Sequence, residues 1–148
     1  MRNLLIVTIF FSSILSVKAQ EKLTDSQQVQ QTINHVFEAL SNRDSVALKK
    51  YCSADVLLFE YGQVWNLDTL IRKAIKRNTA KDFKRVNTID FIKTKVNNNT
   101  AWAAYNLHSE IMREGKQATI HWLETVVLER EKKKWNLKVL HSTMIKRN

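Results

Sequence analysis

Two ionisable side chains near the C-terminal end of the sequence have the surroundings that acid–base chemistry requires. Glu124 stands between Trp122 and Val126 in an apolar run, and His141 closes an apolar stretch that ends at Leu140. Apolar neighbours raise the pKa of a carboxyl, which suits it to proton transfer or to holding a hydroxyl or amine of a ligand. A histidine titrates near neutral pH and can act as a base or contact an anion. We therefore take Glu124 and His141 as the candidate catalytic residues.

Each of these side chains also has a structural explanation. Glu124 could form an ion pair with Lys138 across a hairpin, or with Arg113. His141 could be a hydrogen-bonded histidine of the core or an interface residue. Strand parity places His141 on the face of Trp135, and a β-bulge in the strand would reverse that assignment.

Aromatic side chains that could line a pocket occur along much of the chain. A small-molecule pocket is typically apolar, with a few polar groups that orient the ligand. Core packing also explains tryptophans in a small domain, and we expect one or two of the four to line the cavity. The candidate ligand-binding residues are Trp65, Trp102, Tyr105, Trp122, Tyr61 and Ser142.

Residues with metal-binding or thiol chemistry are few. His108 and Glu110 share a strand face, with His121 opposite, but spacing supplies no further ligand. The single cysteine, Cys52, cannot form an internal disulfide and is typical of a small buried hydrophobe. The sequence contains no glycine-rich phosphate loop, so we predict neither a cofactor nor a metal.

The N-terminal residues predict export. Residues 1–3 form a short basic start, residues 4–15 are mostly apolar, and a small residue, Ala19, follows. This pattern is typical of a secretory signal peptide over residues 1–19, and the apolar run is short of the ~20 residues that span a membrane. We expect cleavage after Ala19, a periplasmic or secreted protein, and no transmembrane segment in the mature chain.

Residues 20–148 are enough for one domain with one core. The chain has 24 lysines and arginines against 14 acidic residues, a net charge of +10. The basic residues alternate with the apolar residues that a core needs, which is typical of a solvated face. Together with the export signal, this argues against a nucleic-acid partner.

Apolar periodicity and capping residues predict three helices in the first half of the chain. Thr24 opens a capping box before an apolar stripe at helical spacing that ends at Leu40. Asp44 caps a second short helix. Asn66 or Asp68 caps a third, after a turn at Gly62.

The second half of the chain predicts strands. Residues 56–61 form an apolar run that reads as a strand covered on both faces. From Phe83 the apolar residues recur at every second position, with Val86 and Thr94 on one face of the strand. This strand and the three after it are predicted to be four long antiparallel strands. The order of helices and strands predicts an α+β fold with helices on one face of a curved sheet.

The strand over residues 119–130 has two apolar faces. Trp122 and Glu124 share one face, while Leu123 and Val127 share the other. Helices can cover only one of them, and a second copy of the sheet is the simplest cover for the other. We therefore predict a homodimer through the sheet.

The whole of residues 20–148 resembles the NTF2-like superfamily, in its SnoaL-like branch. The resemblance is carried by Ser-Ala-Asp-Val at residues 53–56, the Gly62 turn, Glu-Thr-Val-Val at residues 124–127, Trp135, and Leu-His-Ser-Thr at residues 140–143. A threonine ten residues before Trp135 and a histidine six after it also resemble the association domain of calmodulin-dependent kinases.

This resemblance implies a cone, in which a bent sheet wraps around the helices and leaves a cavity open at one end. Members bind small, often partly apolar molecules there, and some are enzymes such as ketosteroid isomerase and polyketide cyclases. Asp55 resembles the carboxylate that some of these enzymes use as a base, although capping a turn is the commoner explanation for an aspartate there. We expect a non-catalytic protein that binds a small, partly apolar molecule. A lyase or isomerase using Glu124, and an assembly module with a filled pocket, are the alternatives.

Overall fold

The computed structural model of this protein describes residues 23–148, and the signal-peptide prediction falls outside this part of the chain. Three helices precede most of a six-stranded sheet. The helices are Asp25–Ser41 (α1), Ser45–Tyr51 (α2) and Leu67–Leu70 (α3), and α3 continues as a π-helical segment, Ile71–Lys76.

Side chains cap each helix at its N-terminus, as the sequence predicted. The Thr24 hydroxyl accepts from the backbone N–H of Gln27, whose side chain accepts in turn from the backbone of Thr24. Asp44 accepts from two backbone N–H groups of α2 at 2.9 Å, and Asn66 caps α3. The predicted apolar stripe of α1 is buried, namely Val29, Ile33, Val36, Phe37 and Leu40.

The strands confirm the α+β prediction and the long antiparallel meander. Their bounds are Cys52–Glu60 (β1), Gln63–Trp65 (β2), Lys84–Asn97 (β3), Thr100–Arg113 (β4), Lys116–Glu131 (β5) and Lys134–Arg147 (β6). The order in the sheet is β2-β1-β6-β5-β4-β3, and β1 runs parallel to β6 while all other pairs are antiparallel. The sheet bends around α1 and α3 into a cone.

Bulges interrupt the strand alternation, and one of them corrects a predicted face. The register of β3 shifts between Phe91 and Lys93. After this shift Thr94 lies on the helix side, where it accepts from the side chain of Gln30 in α1 at 3.0 Å. The prediction that Thr94 shares a face with Val86 is therefore wrong, because a bulge inserts one residue and reverses the parity beyond it.

The inner face of the sheet and the helices form one hydrophobic core. In β5 every second residue from Ile120 to Leu128 is buried, including Trp122 and Glu124 on the predicted common face. The outer face has no cover within the described residues. Leu57 and Phe59 on β1 are 45% and 39% exposed, so the prediction that this strand is covered on both faces is wrong for the single chain.

Cys52 is buried at the start of β1, as predicted, and burial raises the pKa of its thiol to about 12. Among the described helices, none is long and apolar enough to cross a membrane.

Candidate functional site

The cone encloses a cavity with a narrow inner part and a wide outer part. The inner part, about 220 Å³, lies between α1, the α3 region and strands β1, β5 and β6. The outer part, about 460 Å³, opens beside the β4–β5 turn. Both are lined by Leu40, Tyr61, Lys73, Ala74, Arg85 and Trp122, so they form one continuous site.

Glu124 lies on the wall of the inner cavity, as the sequence analysis anticipated. Its side chain is on β5 and the residue is only 3% exposed. The Ser142 hydroxyl on β6 donates to Oε1 at 2.8 Å, whereas Oε2 is buried without a hydrogen-bond partner among residues 23–148. Burial raises the pKa of Glu124, against the opposing effects of the neighbouring Tyr105 hydroxyl, the Ser142 hydrogen bond and the Arg85 charge.

Tyr105 lies on β4 directly across the strand pair from Glu124. The tyrosine is fully buried against Phe37 and Phe91, and it does not line the cavity itself. Its hydroxyl is close enough to Glu124 to influence that pKa, yet the hydroxyl has no hydrogen-bond partner among the described residues. Burial raises the pKa of Tyr105 well above its usual range, so this hydroxyl stays protonated.

Glu60 brings a second carboxyl to the inner cavity. It is the last residue of β1, half-buried at the point where the chain turns into Tyr61. Burial raises the pKa of Glu60 to about 7, helped by the charge of Glu124 and opposed by that of Arg85. At neutral pH this carboxyl therefore changes readily between its acid and its base form.

Arg85 lies where the inner and outer parts meet. Its guanidinium lies between the rings of Phe37 and Trp122, at 5.9 and 5.6 Å from their centroids. Nε donates to Asn87 at 2.8 Å and Nη2 donates to the Ser109 hydroxyl at 3.1 Å. These contacts hold a cation in the cavity wall, and no carboxylate of residues 23–148 forms a salt bridge with it.

Four of the predicted ligand-binding residues do line the cavity, namely Trp65, Trp122, Tyr61 and Ser142. The other two do not. Tyr105 lies behind the wall, and Trp102 lies on the outer face of the sheet, where it is 41% exposed. In β4, Trp102 is one of the alternate residues whose side chains point away from the helices. Parity in the sequence groups these residues together but cannot tell which side of the sheet they face.

His141 does not share the face of Trp135, contrary to the parity prediction. The register between β5 and β6 shifts near Val127, so Trp135 is buried on the inner side and His141 is exposed on the outer side. The imidazole meets the edge of Phe59 at 6.0 Å between ring centroids. His141 and Glu124 therefore lie on opposite faces of the sheet. For both to act in catalysis, a substrate would have to reach around β6, through a groove lined by His141 and Ser142.

The ion pairs considered for Glu124 do not form. Lys138 binds Asp55 at 2.7 Å on the outer side and lies 3.6 Å from Glu129, and Arg113 lies at the cavity mouth. Lys138 also lowers the pKa of the exposed Asp55 through its hydrogen bond. Asp55 thus has a structural partner and lies outside the cavity.

His108 and His121 stack on the outer face, with ring centroids 4.2 Å apart, and His121 is hydrogen-bonded to Asn106. Within residues 23–148 no group of three histidine, cysteine or acidic side chains is placed to hold a metal ion.

Sequence reasoning missed Glu60 and Arg85 as residues of the site. Both had a signal. Glu60 ends the apolar run of β1 with a carboxylate, and Arg85 shares its strand parity with Asn87, Ile89 and Phe91. At both positions a charged residue stands at or near a strand end, where such residues usually face solvent.

A family model for the SnoaL-like domain matches residues 29–146. The chain belongs to this SnoaL-like family. The match covers nearly all of the described fold, including β1 to β5 and all but the last residue of β6, and the cone agrees with the NTF2-like architecture that the sequence resembled. No curated protein matches the sequence significantly.

Solved structures show the same fold at low identity. An NTF2-like protein from Cytophaga hutchinsonii has a TM-score of 0.68 at 15% identity, over 83% of this chain and 100% of its own. The CaMKII hub of S. rosetta has a TM-score of 0.69 at 18% identity, covering 84% and 99%. A ketosteroid isomerase-like protein from Erwinia carotovora atroseptica has a TM-score of 0.65 at 13% identity, covering 82% and 96%. SnoaL-like and NTF2-like folds of this kind occur in ligand-binding and isomerase-type domains, and identities this low establish the fold alone.

Proposed function

We propose that this SnoaL-like protein is exported and binds a small, partly apolar molecule in the inner cavity. The observation that carries the proposal is the buried carboxyl of Glu124. The carboxyl lines the cavity beside the Tyr105 hydroxyl, and its Oε2 is buried without a well-formed hydrogen bond within the described residues. A buried polar atom without a partner is costly, and a ligand hydroxyl or amine would satisfy it.

The aromatic walls support the same proposal. Trp122 is buried along the cavity, and the Trp65 ring stacks under the Lys73 ammonium at 4.1 Å. An assembly module with a self-filled pocket has less support, because Trp102 does not pack across the cone against Trp122 and the cavity stays open. The rings of Trp65 and Trp122 contribute apolar contact and help to orient a ligand that carries one or two polar groups.

Native mass spectrometry of the protein purified from the exported fraction of its own host tests this proposal. We expect an added small mass that disappears under denaturing conditions. The neutral fluorophore N-phenylnaphthylamine tests the cavity directly. Its binding should be lost in Ala74→Trp, which places an indole in the cavity, and kept in the control Val46→Trp on the exposed side of α2. A protein without bound mass that also fails to bind the fluorophore would contradict the proposal.

A second candidate is isomerisation of an unsaturated ketone, favoured by the two carboxyls in one cavity. In such a reaction a carboxylate removes a proton from a carbon beside the carbonyl, a neutral donor holds the developing oxyanion, and the proton returns to another carbon. Glu60, with its pKa raised to about 7, has the properties of the base. Glu124, whose pKa burial also raises, can supply the donor.

The test is the conversion of a steroid β,γ-unsaturated ketone to its conjugated isomer, followed by ultraviolet absorption across the pH range. We expect an apparent pKa near that of Glu60, about 7, in the wild-type rate profile and its loss in Glu60→Gln. An apparent pKa near 7 that persists in Glu60→Gln would remove this candidate.

The uncovered outer face supports a homodimer through the sheet. Exposed apolar side chains occur there on neighbouring strands, including Leu57, Phe59, Trp102 and Leu123. Their register places Leu57 and Trp102 at the two ends of one row, with Val139 and Val127 between them, Phe59 in the next row and Leu123 in the row after that. Sedimentation of the purified protein should give the mass of two chains, and a single-chain mass at high micromolar concentration would oppose the dimer.

A further inference from the structure

The outer part of the cavity has a strongly uneven charge. Its walls hold six cationic side chains and one acidic one, Glu114, whereas the whole chain has 24 cationic and 14 acidic residues. The cationic residues are Lys73, Arg77, Arg85, Arg113, Lys116 and Arg147. They come from the π-helical region, from the start of β3, from both sides of the β4–β5 turn and from the end of β6, so only the folded chain collects them.

None of these cations forms a salt bridge with a described carboxylate, although Arg85 is close enough to Glu60 and Glu124 to lower their pKa values. The salt bridges within residues 23–148 join other side chains and include none of the six. Asp82 is near the mouth, but its two oxygens accept from the backbone N–H groups of Glu114 and Gly115 at 2.8 and 2.7 Å. Asp82 therefore anchors the β4–β5 turn, which supplies Arg113 and Lys116 to the mouth.

The inner part of the cavity has the opposite character. Its walls are mostly apolar and aromatic, with Phe37, Leu70 and Leu107 beside the tryptophans. Arg85 marks the boundary, since it lines both parts and lies against the Trp122 ring. A ligand that fills both parts therefore meets mostly apolar walls with the two carboxyls of Glu60 and Glu124 at one end, and an excess of positive charge at the other.

We propose that the ligand is an amphipathic anion, with an apolar body in the inner cavity and a carboxylate, sulfonate or phosphate group at the cationic mouth. This inference rests on the proposed binding function and adds the charge class of the ligand. Low-dielectric cavity walls concentrate the field of the six cations on an entering anion. The planar guanidinium groups also match the oxygens of such a group in pairs.

Two fluorophores that share an aromatic body separate this inference from binding alone. Anilinonaphthalene sulfonate carries an anionic group that its neutral parent, N-phenylnaphthylamine, lacks. We expect the sulfonate to bind the purified protein at least about tenfold more tightly than the neutral parent, since several close cations act on one charge. This preference should shrink as ionic strength rises, because salt screens the charges at the open mouth.

Charge removal at the mouth completes the test. Arg77→Gln/Arg113→Gln should weaken the sulfonate about fivefold or more and leave the neutral parent within about twofold. The control Lys93→Gln/Lys95→Gln removes the same charge from exposed positions of β3 outside the cavity and should change neither affinity. Circular dichroism establishes that each variant is folded.

The possible failures are distinguishable. If both fluorophores bind equally and the mouth variant changes neither, the ligand's charge class is overturned while the binding function stands. If Ala74→Trp leaves the sulfonate affinity unchanged, the anion binds on the surface and the inference is overturned. If neither fluorophore binds, the proposed function fails and this inference fails with it.

Discussion

The two faces of the sheet depart in opposite ways from the usual pattern, in which apolar side chains are buried and charged side chains are exposed. The inner face buries a carboxyl, Glu124, among apolar side chains, whereas the outer face exposes large apolar groups such as Leu123 and Trp102. Glu124 and Leu123 are adjacent in one strand, so the contrast arises from the side of the sheet and not from the region of the sequence. Buried polar groups and exposed apolar patches are the deviations that signal function. The proposed ligand would occupy the inner one, and a second copy of the chain would cover the outer one.

The largest effect should come from charge on the outer face. Trp102→Glu/Leu123→Glu would bury two unpaired carboxylates in the proposed dimer, which should raise its dissociation constant by at least about 100-fold. Analytical ultracentrifugation measures this change. The control Val46→Glu, at an exposed apolar residue of α2, should leave the association unchanged. Equal association of all three proteins would show that the dimer does not use this face.

The carboxyl of Glu60 should make stability depend on pH. Its pKa is about 7 in the folded chain against an ordinary value of 4.5, so the native state holds a proton that the unfolded chain releases. The free energy of unfolding should therefore fall by about 2–3 kcal/mol as pH rises between these values. Denaturant unfolding of Glu60→Gln should show a shallower fall. The matched change Glu110→Gln, at an exposed residue of β4, should keep the wild-type slope.

Replacing the buried carboxyl with an apolar group tests the contrast between the two faces. Glu124→Leu removes a partly satisfied buried carboxyl, so we expect the free energy of unfolding at neutral pH to rise by about 2 kcal/mol while ligand affinity falls. Thr125→Leu, one residue along on the exposed face, should change stability by about 0.5 kcal/mol or less. A loss of stability in Glu124→Leu would mean that the carboxyl is fully satisfied in the native protein.

The smallest effect concerns the hydroxyl that binds Glu124. Ser142→Ala removes the 2.8 Å hydrogen bond to Oε1 and should destabilise the protein by about 1 kcal/mol. The same change should raise the pKa of Glu124 further, since this hydrogen bond favours the charged carboxylate. Thermal unfolding of Ser142→Ala and of the exposed neighbour Thr143→Val would measure the difference, and equal melting temperatures would show that the bond contributes little.

Much of this fold was predictable because its signals are local. The capping box at Thr24, the Asp44 cap and the alternating pattern of β5 each depend on residues a few positions apart. Glu124 was predictable for the same reason, since a carboxylate amid a buried strand face is visible in sequence. The parallel pairing of β1 with β6 was not, because it joins segments that are far apart in the chain.

The residues of the site were predictable only in part, and bulges explain the failures. His141 and Thr94 were assigned by counting from a neighbour, and each lies beyond a register shift that reverses the count. Trp102 was assigned by its chemistry, which suits a pocket and an interface equally well. In the sequence, Glu60 and Arg85 resemble ordinary charged residues at strand ends. They face the cavity because the sheet bends.

The elements, their caps, the α+β order and one carboxyl on an apolar strand face are specified locally in the sequence. Those features follow from short-range periodicity and hydrogen bonding, which one stretch of chain specifies alone. Only the tertiary structure decided which face holds the cavity, that Glu60 and Arg85 join Glu124 there, and that six cations from separate segments surround its mouth. Curvature and bulges control those positions, because together they decide which ends of distant strands meet.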